Sequence, residues 1–376
     1  MNPSRAVVDV HVLQTLPPSC LNRDDTNSPK TALYGGARRA RVSSQSWKRA
    51  TRRYFNERFE EAQQGLRTRK LAELLAQRLR ERLGPESGLD EEQIVSLVNT
   101  ATGALLGLKG DKLKKHSEQK GLADLEYALF ISESAIAETL EQLAAAARGA
   151  ELNPDALKEA MGRGHSLDVA LFGRMIADTP DLNIDAACQV AHAISTHRVA
   201  AEFDFYTAVD DLAERDETGA AMMGYVEFNS ATLYRFATVS LGRLADNLGD
   251  VSAVAPGVVA FVDGFVHSLP TGHQNTFAAI TLPDLVFVSL RNDQPVSLVG
   301  AFESPVESGA GYVSESARRL AEYADQIDGL YGTKRVAGWA SYLSALKDVN
   351  DHLGESLPFP ELLGAIEQAV AGQINP

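Results

Sequence analysis

The chain predicts an α+β fold: a β-sheet carrying helices on one face and interrupted twice by inserted segments. Three observations predict it. Strand-like runs open the chain near residues 8–12 and return at 225–228 and 285–290. A stretch rich in Leu, Ala, Glu and Arg, from about 57 to 179, separates the first run from the rest. Residues 198–228, aromatic at their start and acidic in their middle, match neither texture. The 376 residues, 44% of them apolar, suffice for two or three lobes around a sizeable core.

Each element follows from local pattern. Val8, Val10 and Val12 alternate with Asp9 and His11 as a first strand, which Pro17-Pro18 should end. A loop over 19–32, rich in Asn, Asp, Ser and Pro, reads as functional because it is long and early. Gly35-Gly36 marks a turn. A short strand follows, with Arg39 and Arg41 on one face and Ala40 and Val42 on the other. Ser43-Ser44 can cap a helix from about Gln45. On it Trp47, Ala50, Thr51 and Tyr54 form one stripe, and Lys48, Arg49, Arg52 and Arg53 the opposite arc. Helices are expected at 66–83, 90–106, 122–147, 154–161 and 167–178, broken at glycines and prolines, and again at 184–196. Residues 198–228 predict an extended arm or β-hairpin. Later helices fall at 241–248, 254–268 and 313–329, with an apolar strand at 285–290.

Charge is unevenly spread. The formal net charge is −14, yet residues 23–53 hold nine Lys or Arg against Asp24 and Asp25. A basic site on an acidic body points to a specific polyanion groove. No apolar run approaches the roughly 20 residues that span a bilayer. Asp9 interrupts the place of a signal-peptide apolar stretch, so no targeting segment is expected. Two cysteines, Cys20 and Cys188, cannot build a disulfide framework, which suits a reducing cytoplasm.

Four constellations could carry chemistry. In the basic loop-strand-helix, Lys48 and Arg52 lie one turn apart, as do Arg49 and Arg53, and the serines add donors at the helix start. These rows could track a phosphate backbone or simply be a solvated face paired to the acidic body. Lys109, Lys112, Lys114, Lys115 and Lys120 could touch phosphate or be a solvated loop. Phe203, Phe205 and Tyr206 could stack on bases, or pack on their own sheet or a neighbouring subunit. The doublets Asp24-Asp25 and Asp210-Asp211 could hold Mg²⁺ for phosphodiester cleavage, but no ligand spacing accompanies them. An ion pair or an Asx turn is the plainer reading of Asp24.

Residues 18–25 (Pro-Ser-Cys-Leu-Asn-Arg-Asp-Asp), 35–50 (Gly-Gly-Ala-Arg-Arg-Ala-Arg-Val-Ser-Ser-Gln-Ser-Trp-Lys-Arg-Ala), 170–175 (Ala-Leu-Phe-Gly-Arg-Met) and 206–212 (Tyr-Thr-Ala-Val-Asp-Asp-Leu) resemble the CasC family. That family supplies the multicopy backbone subunit of the type I-E CRISPR surveillance complex, Cascade. The resemblance implies an RRM-like, ferredoxin-type palm at 1–56, 181–197 and 229–376, a helical fingers insertion at 57–180, and a thumb at 198–228. It implies binding to CRISPR RNA, pairing of the guide with target DNA, contacts with copies of itself and other Cascade subunits, no membrane, no cofactor, no metal and no catalysis. By position, Asn22, Arg23, Ser44, Gln45, Lys48, Arg49 and Arg52 would grip RNA, and Lys30, Arg38, Arg39 and Arg41 of the same basic window are further RNA-binding candidates. Met175 would meet the kinked nucleotide, and Tyr206 and Thr207 would displace it. Apart from the resemblance, Lys109, Lys112, Lys114 and Lys115 are candidate target-DNA contacts on their charge alone. A metal-dependent ribonuclease using Asp24, Asp25 or Asp210 is the rival class.

Overall fold

The computed structural model describes residues 5–60, 63–84, 89–107, 121–176, 179–208, 222–333 and 335–374. The chain divides into two compact units. The first comprises Met1–Tyr54, Val190–Thr238 and Val258–Pro376; the second comprises Phe55–Gln189 and Val239–Gly257.

Strands β1 (Val7–Ser19), β2 (Thr31–Tyr34) and β3 (Ala37–Val42) lead into helix α1 (Ser44–Asn56). There follow β4 (Gly65–Thr68), α2 (Leu71–Leu83), α3 (Glu91–Leu106), β5 (Leu129–Ser132), α4 (Glu133–Ala146), α5 (Pro154–Gly162) and α6 (Leu167–Phe172). The chain continues through β6 (Cys188–Val190), β7 (Ala193–Ser195), β8 (Glu202–Ala208) and β9 (Met222–Ser240). Then come α7 (Leu241–Leu248), α8 (Val254–His267), α9 (Gln274–Phe277), β10 (Leu285–Arg291) and α10 (Val313–Tyr331). Last are β11 (Arg335–Tyr342), α11 (Asn350–Leu353), β12 (Glu355–Ser356) and α12 (Phe359–Ile374). Among the described residues no helix is long and apolar enough to cross a membrane.

The sheet of the first unit runs β12-β11-β10-β1-β9-β7-β3-β2, and β8 pairs off this path with β9. β1 and β10 are antiparallel, with His11 opposite Phe287. Both faces of β1 are buried, so its polar residues sit inside as well: Asp9, His11 and Gln14 are each 1% exposed or less. Helices therefore cover both faces of the sheet, not one as its alternation predicts. On one face Leu13, Tyr234, Phe236 and Phe287 pack with Ala317, Leu320, Ala321 and Ala324 of α10. On the other, the Arg235 guanidinium lies 3.7 Å from the Trp47 ring centroid of α1 and 4.4 Å from that of Phe265 on α8. It donates to Gln14 Oε1 at 2.6 Å and to the Phe265 carbonyl. Burial pushes its pKa down to about 9, and the aromatic faces with these acceptors keep the cation tolerable there.

Other expectations are corrected by tertiary pairing. β1 runs through Pro17-Pro18 to Ser19, since proline's fixed φ is compatible with extended chain. The first residues of the expected 66–83 helix form β4, which pairs with β5 from within the expected 122–147 helix, Gly65 opposite Ser132. The 184–196 segment is strand rather than helix around β6 and β7. There Ile194 pairs with Tyr234 and Thr196 N–H donates to the Thr232 carbonyl, overriding the helical preference of its alanines. The 167–178 helix stops at Phe172, because Gly173 takes φ 74° and a Cβ there would run into the backbone of Ile184 and Ala186.

The second unit is helical around its own core, with Leu75, Leu79, Val98, Leu105, Ile136, Leu143 and Met161 buried together. Each such side chain contributes roughly 1.5–3 kcal/mol by leaving water. Asp90 and Gln93 close a reciprocal capping box on α3, as the sequence Asp-x-x-Gln permits.

Candidate nucleic-acid interface

Helix α1 positions the basic residues because its opposite stripe is fixed. Trp47, Ala50 and Thr51 are buried, and the Tyr54 hydroxyl donates to Asp263 Oδ2 at 2.6 Å. A rotation of 100° per residue then turns Arg49 and Arg53 outward. The helix start is closed by three groups from different segments. Asn22 Oδ1 accepts from Ser43 N–H at 2.8 Å, Ser43 Oγ accepts from Ser46 N–H at 3.4 Å, and His192 Nδ1 accepts from Ser44 N–H at 3.3 Å. Burial, then Arg41 and Lys30, lower the His192 pKa, which favours this acceptor state.

Arg49 and Arg53 line an open cleft of about 490 Å³ together with Asn22, Arg23, Asn27 and Ser46. Leu269, Pro270, Thr271, Gly272 and His273 form its remaining wall. Arg23 Nη1 donates to Asn27 Oδ1 at 2.5 Å and lies 3.2 Å from His273 Nε2. Asp24 and Asp25 also border the cleft. Asp24 Oδ1 accepts from Thr26 N–H at 2.9 Å, Thr26 Oγ1 at 2.7 Å and Ser28 N–H at 3.0 Å. Those hydroxyl and amide donors hold its pKa down. Asp24 is thus the organiser of an Asx turn, the plainer of its two sequence readings.

The expected RNA-gripping residues divide. Arg23 and Arg49 meet in the cleft with Asn22, while Lys48 and Arg52 sit half-buried on the adjacent row and do not line it. Ser44 is half-buried and Gln45 exposed at the helix start. Lys30 and Arg41 border a shallow groove beside β3 with Asn22 and Asn229, and Arg41 Nε donates to the Thr31 carbonyl at 3.2 Å. Arg38 is exposed on the opposite side of β3, 3.4 Å from Thr31 Oγ1. Arg39 is the correction: it is fully buried and cannot meet a ligand. Its guanidinium donates to the carbonyls of Ser195, Thr196, Phe302, Glu303 and Tyr34, pinning β3 to two distant loops.

Thr207 and Tyr206 are exposed on β8, in a two-stranded arm that opposes 202–208 to 222–228. Phe203, Phe205 and Tyr225 are exposed there too, at 65%, 50% and 70%. The rings of Phe205 and Tyr225 are 5.1 Å apart. Met175, in the second unit, is 82% exposed. Asp210-Asp211 and Lys109, Lys112, Lys114, Lys115 and Lys120 lie outside the described residues. Sequence reasoning missed His192 and the 269–273 wall. The Pro-Thr-Gly-His punctuation was the one signal available for that wall.

A family model described as CT1975-like protein matches residues 8–363. No curated protein matches. One similar solved chain comes from a structure described as "CRISPR RNA-guided surveillance complex, pre-nicking". It is 34% identical over 97% of this chain and 100% of that one, with a TM-score of 0.85. Another, described as "CRISPR RNA-guided surveillance complex", is 29% identical over 96% and 99%, with a TM-score of 0.63. The chain belongs to the CT1975-like protein family, and the CasC resemblance carried by its residues 18–25 and 35–50 holds.

Proposed function

We propose that this chain is a CRISPR-RNA-binding backbone subunit of a type I-E Cascade complex, present in several copies and non-catalytic. The observation that carries the reading is the cleft in which Arg23, Arg49 and Arg53 converge on an otherwise acidic protein. Guanidinium groups spaced along a cleft release counterions from a phosphate backbone without reading its sequence. Sequence is then left to base pairing between the guide and target DNA. The similar solved chains come from RNA-guided surveillance complexes, which supports the same assignment.

The palm reading draws support from topology. In the path β10-β1-β9-β7, helix α1 follows β1 and α8 follows β9. That is the strand and helix succession of a βαββαβ, ferredoxin-type unit, the core of an RRM. The exposed aromatics of the arm suit its role as a thumb that displaces one nucleotide per subunit. The Asx-turn role of Asp24 favours structure over metal chemistry in the loop.

Co-expression with the other subunits and a repeat array tests this. The expected result is co-purification of a discrete RNA of about 60 nucleotides, a few per subunit, which stays intact with Mg²⁺. Purification without a discrete RNA would overturn the assignment. Mg²⁺-dependent cleavage lost on Asp24→Ala would replace it with the ribonuclease.

A further inference from the structure

The 269–273 wall brings an imidazole to Arg23 from the far end of the sequence. His273 Nε2 lies 3.2 Å from Arg23 Nη1. A guanidinium can only donate, so the nitrogen facing it is an unprotonated acceptor. The segment is built to hold this position. Gly272 passes so close to the carbonyls of Cys20 and Leu21 that a Cβ would overlap them. His273 and Ala278 take left-handed φ angles of 49° and 46° on either side of α9. Such conformations are strained and persist where surrounding contacts impose them. The His273 ring stands edge-on to Phe277 at 6.2 Å, and Phe277 meets Phe228, at the root of the arm, at 5.7 Å.

The charged groups that line the cleft with His273 are Arg23, Asp24 and Asp25 from the loop after β1 and Arg49 and Arg53 from α1. Residues 269–283 contain no other charged side chain. Burial, and then Arg23, lower the His273 pKa in the free chain. A phosphate in the cleft would oppose the field of the three arginines.

Building on the RNA-binding reading above, we propose that His273 is a phosphate-contacting residue: an RNA phosphate enters between it and Arg23, and the imidazole takes up one proton. In the free chain Nε2 accepts from Arg23. In the complex Nε2 carries a proton from solvent and donates it to a phosphate oxygen, while Arg23 donates to another. RNA raises the pKa of His273 above its free value. The added affinity is fully present below the free pKa and is lost as pH rises through the pKa of the complex. Affinity therefore climbs as pH falls from about 8 to 6, by at most about tenfold per unit for one proton.

The test titrates a short, labelled, mixed-sequence single-stranded RNA onto the full chain at fixed ionic strength across that range. His273→Gln keeps a neutral acceptor for Arg23 and should flatten the pH dependence. His352→Gln, changing the imidazole that faces Asp325 away from the cleft, should keep the wild-type slope. A flat wild-type profile, or an unchanged slope in His273→Gln, overturns the proposal while leaving RNA binding intact. Failure of the wild type to bind RNA at any pH overturns the function itself. In the wild type, the Cε1 proton resonance of His273 should titrate at higher pH with RNA than without. No upward shift would overturn the proposal independently of any variant.

Discussion

Tyr206 covers Gly224. The two are cross-strand partners in the arm, and a Cβ on Gly224 would meet the Tyr206 ring and hydroxyl at 2.5–2.9 Å. The glycine leaves the tyrosine a flat seat against the backbone, so the ring's direction is set by its neighbour's missing side chain. Gly224→Ala should tilt the exposed ring while changing stability by no more than about 0.5 kcal/mol, the usual range for a surface site. RNA affinity should fall with the thermal midpoint unchanged. Equal loss in both would make the contact structural only.

Arg39 and Arg49, ten residues apart, should separate stability from binding. Arg39→Ala strands buried carbonyls at Ser195, Thr196 and Phe302 and should cost about 3 kcal/mol or more. Arg49→Ala changes an exposed cleft residue and should leave the urea midpoint within about 0.5 kcal/mol of wild type. A stable Arg39→Ala protein with weakened RNA binding would contradict the buried placement.

Removing cleft cations should also change salt dependence. Arg49→Ala with Arg53→Ala should weaken RNA binding for all sequences alike and reduce the log–log salt slope by about 0.7 per lost contact. Lys48→Ala with Arg52→Ala tests the adjacent row. If only this second pair moves the slope, the strand runs along the adjacent row and not through the cleft.

Two buried groups of β1 should oppose each other in acid. Burial lowers the His11 pKa to about 3, so the unfolded chain binds the extra proton below about pH 6.5, and stability falls as pH drops. Burial raises Asp9 to about 6 despite Arg291 nearby, so between about pH 4 and 6 the folded state binds the extra proton, and stability rises as pH drops. The two offset each other over that interval. Asp9→Asn removes the offset and should lose stability more steeply than wild type from pH 6 to 4. Urea midpoints at a series of pH values would show it; parallel curves would refute it.

Much of this was legible in the sequence because it is local. The Trp47, Ala50 and Thr51 stripe, the capped start of α1 and the paired arm all follow from period and composition. The basic window was legible as charge, but not which of its members face solvent. Arg39 and Arg41 share a face of β3, yet only Arg39 is enclosed, by carbonyls more than 150 residues away. Strand pairing hid β4, β5 and β7 behind helix-like composition. The 269–273 wall showed in the sequence only as Pro-Thr-Gly-His punctuation, because it reaches the cleft through a close backbone approach of Gly272 to Leu21, which no local pattern encodes.

Strand β9 has one continuous backbone and two surroundings. Its later part is buried, with Tyr234, Ala237 and Val239 each 2% exposed or less, while Tyr225 near its start is 70% exposed. The arm is therefore a cantilever, clamped in the sheet with no intervening loop to serve as a pivot. Its aim is inherited from the register of the sheet, and a copy that folds is already pointing its rings. Little orientational freedom is left for a ligand to remove. Under the proposed multicopy reading, evenly repeated placement along an RNA would need no adjustment by the arm itself.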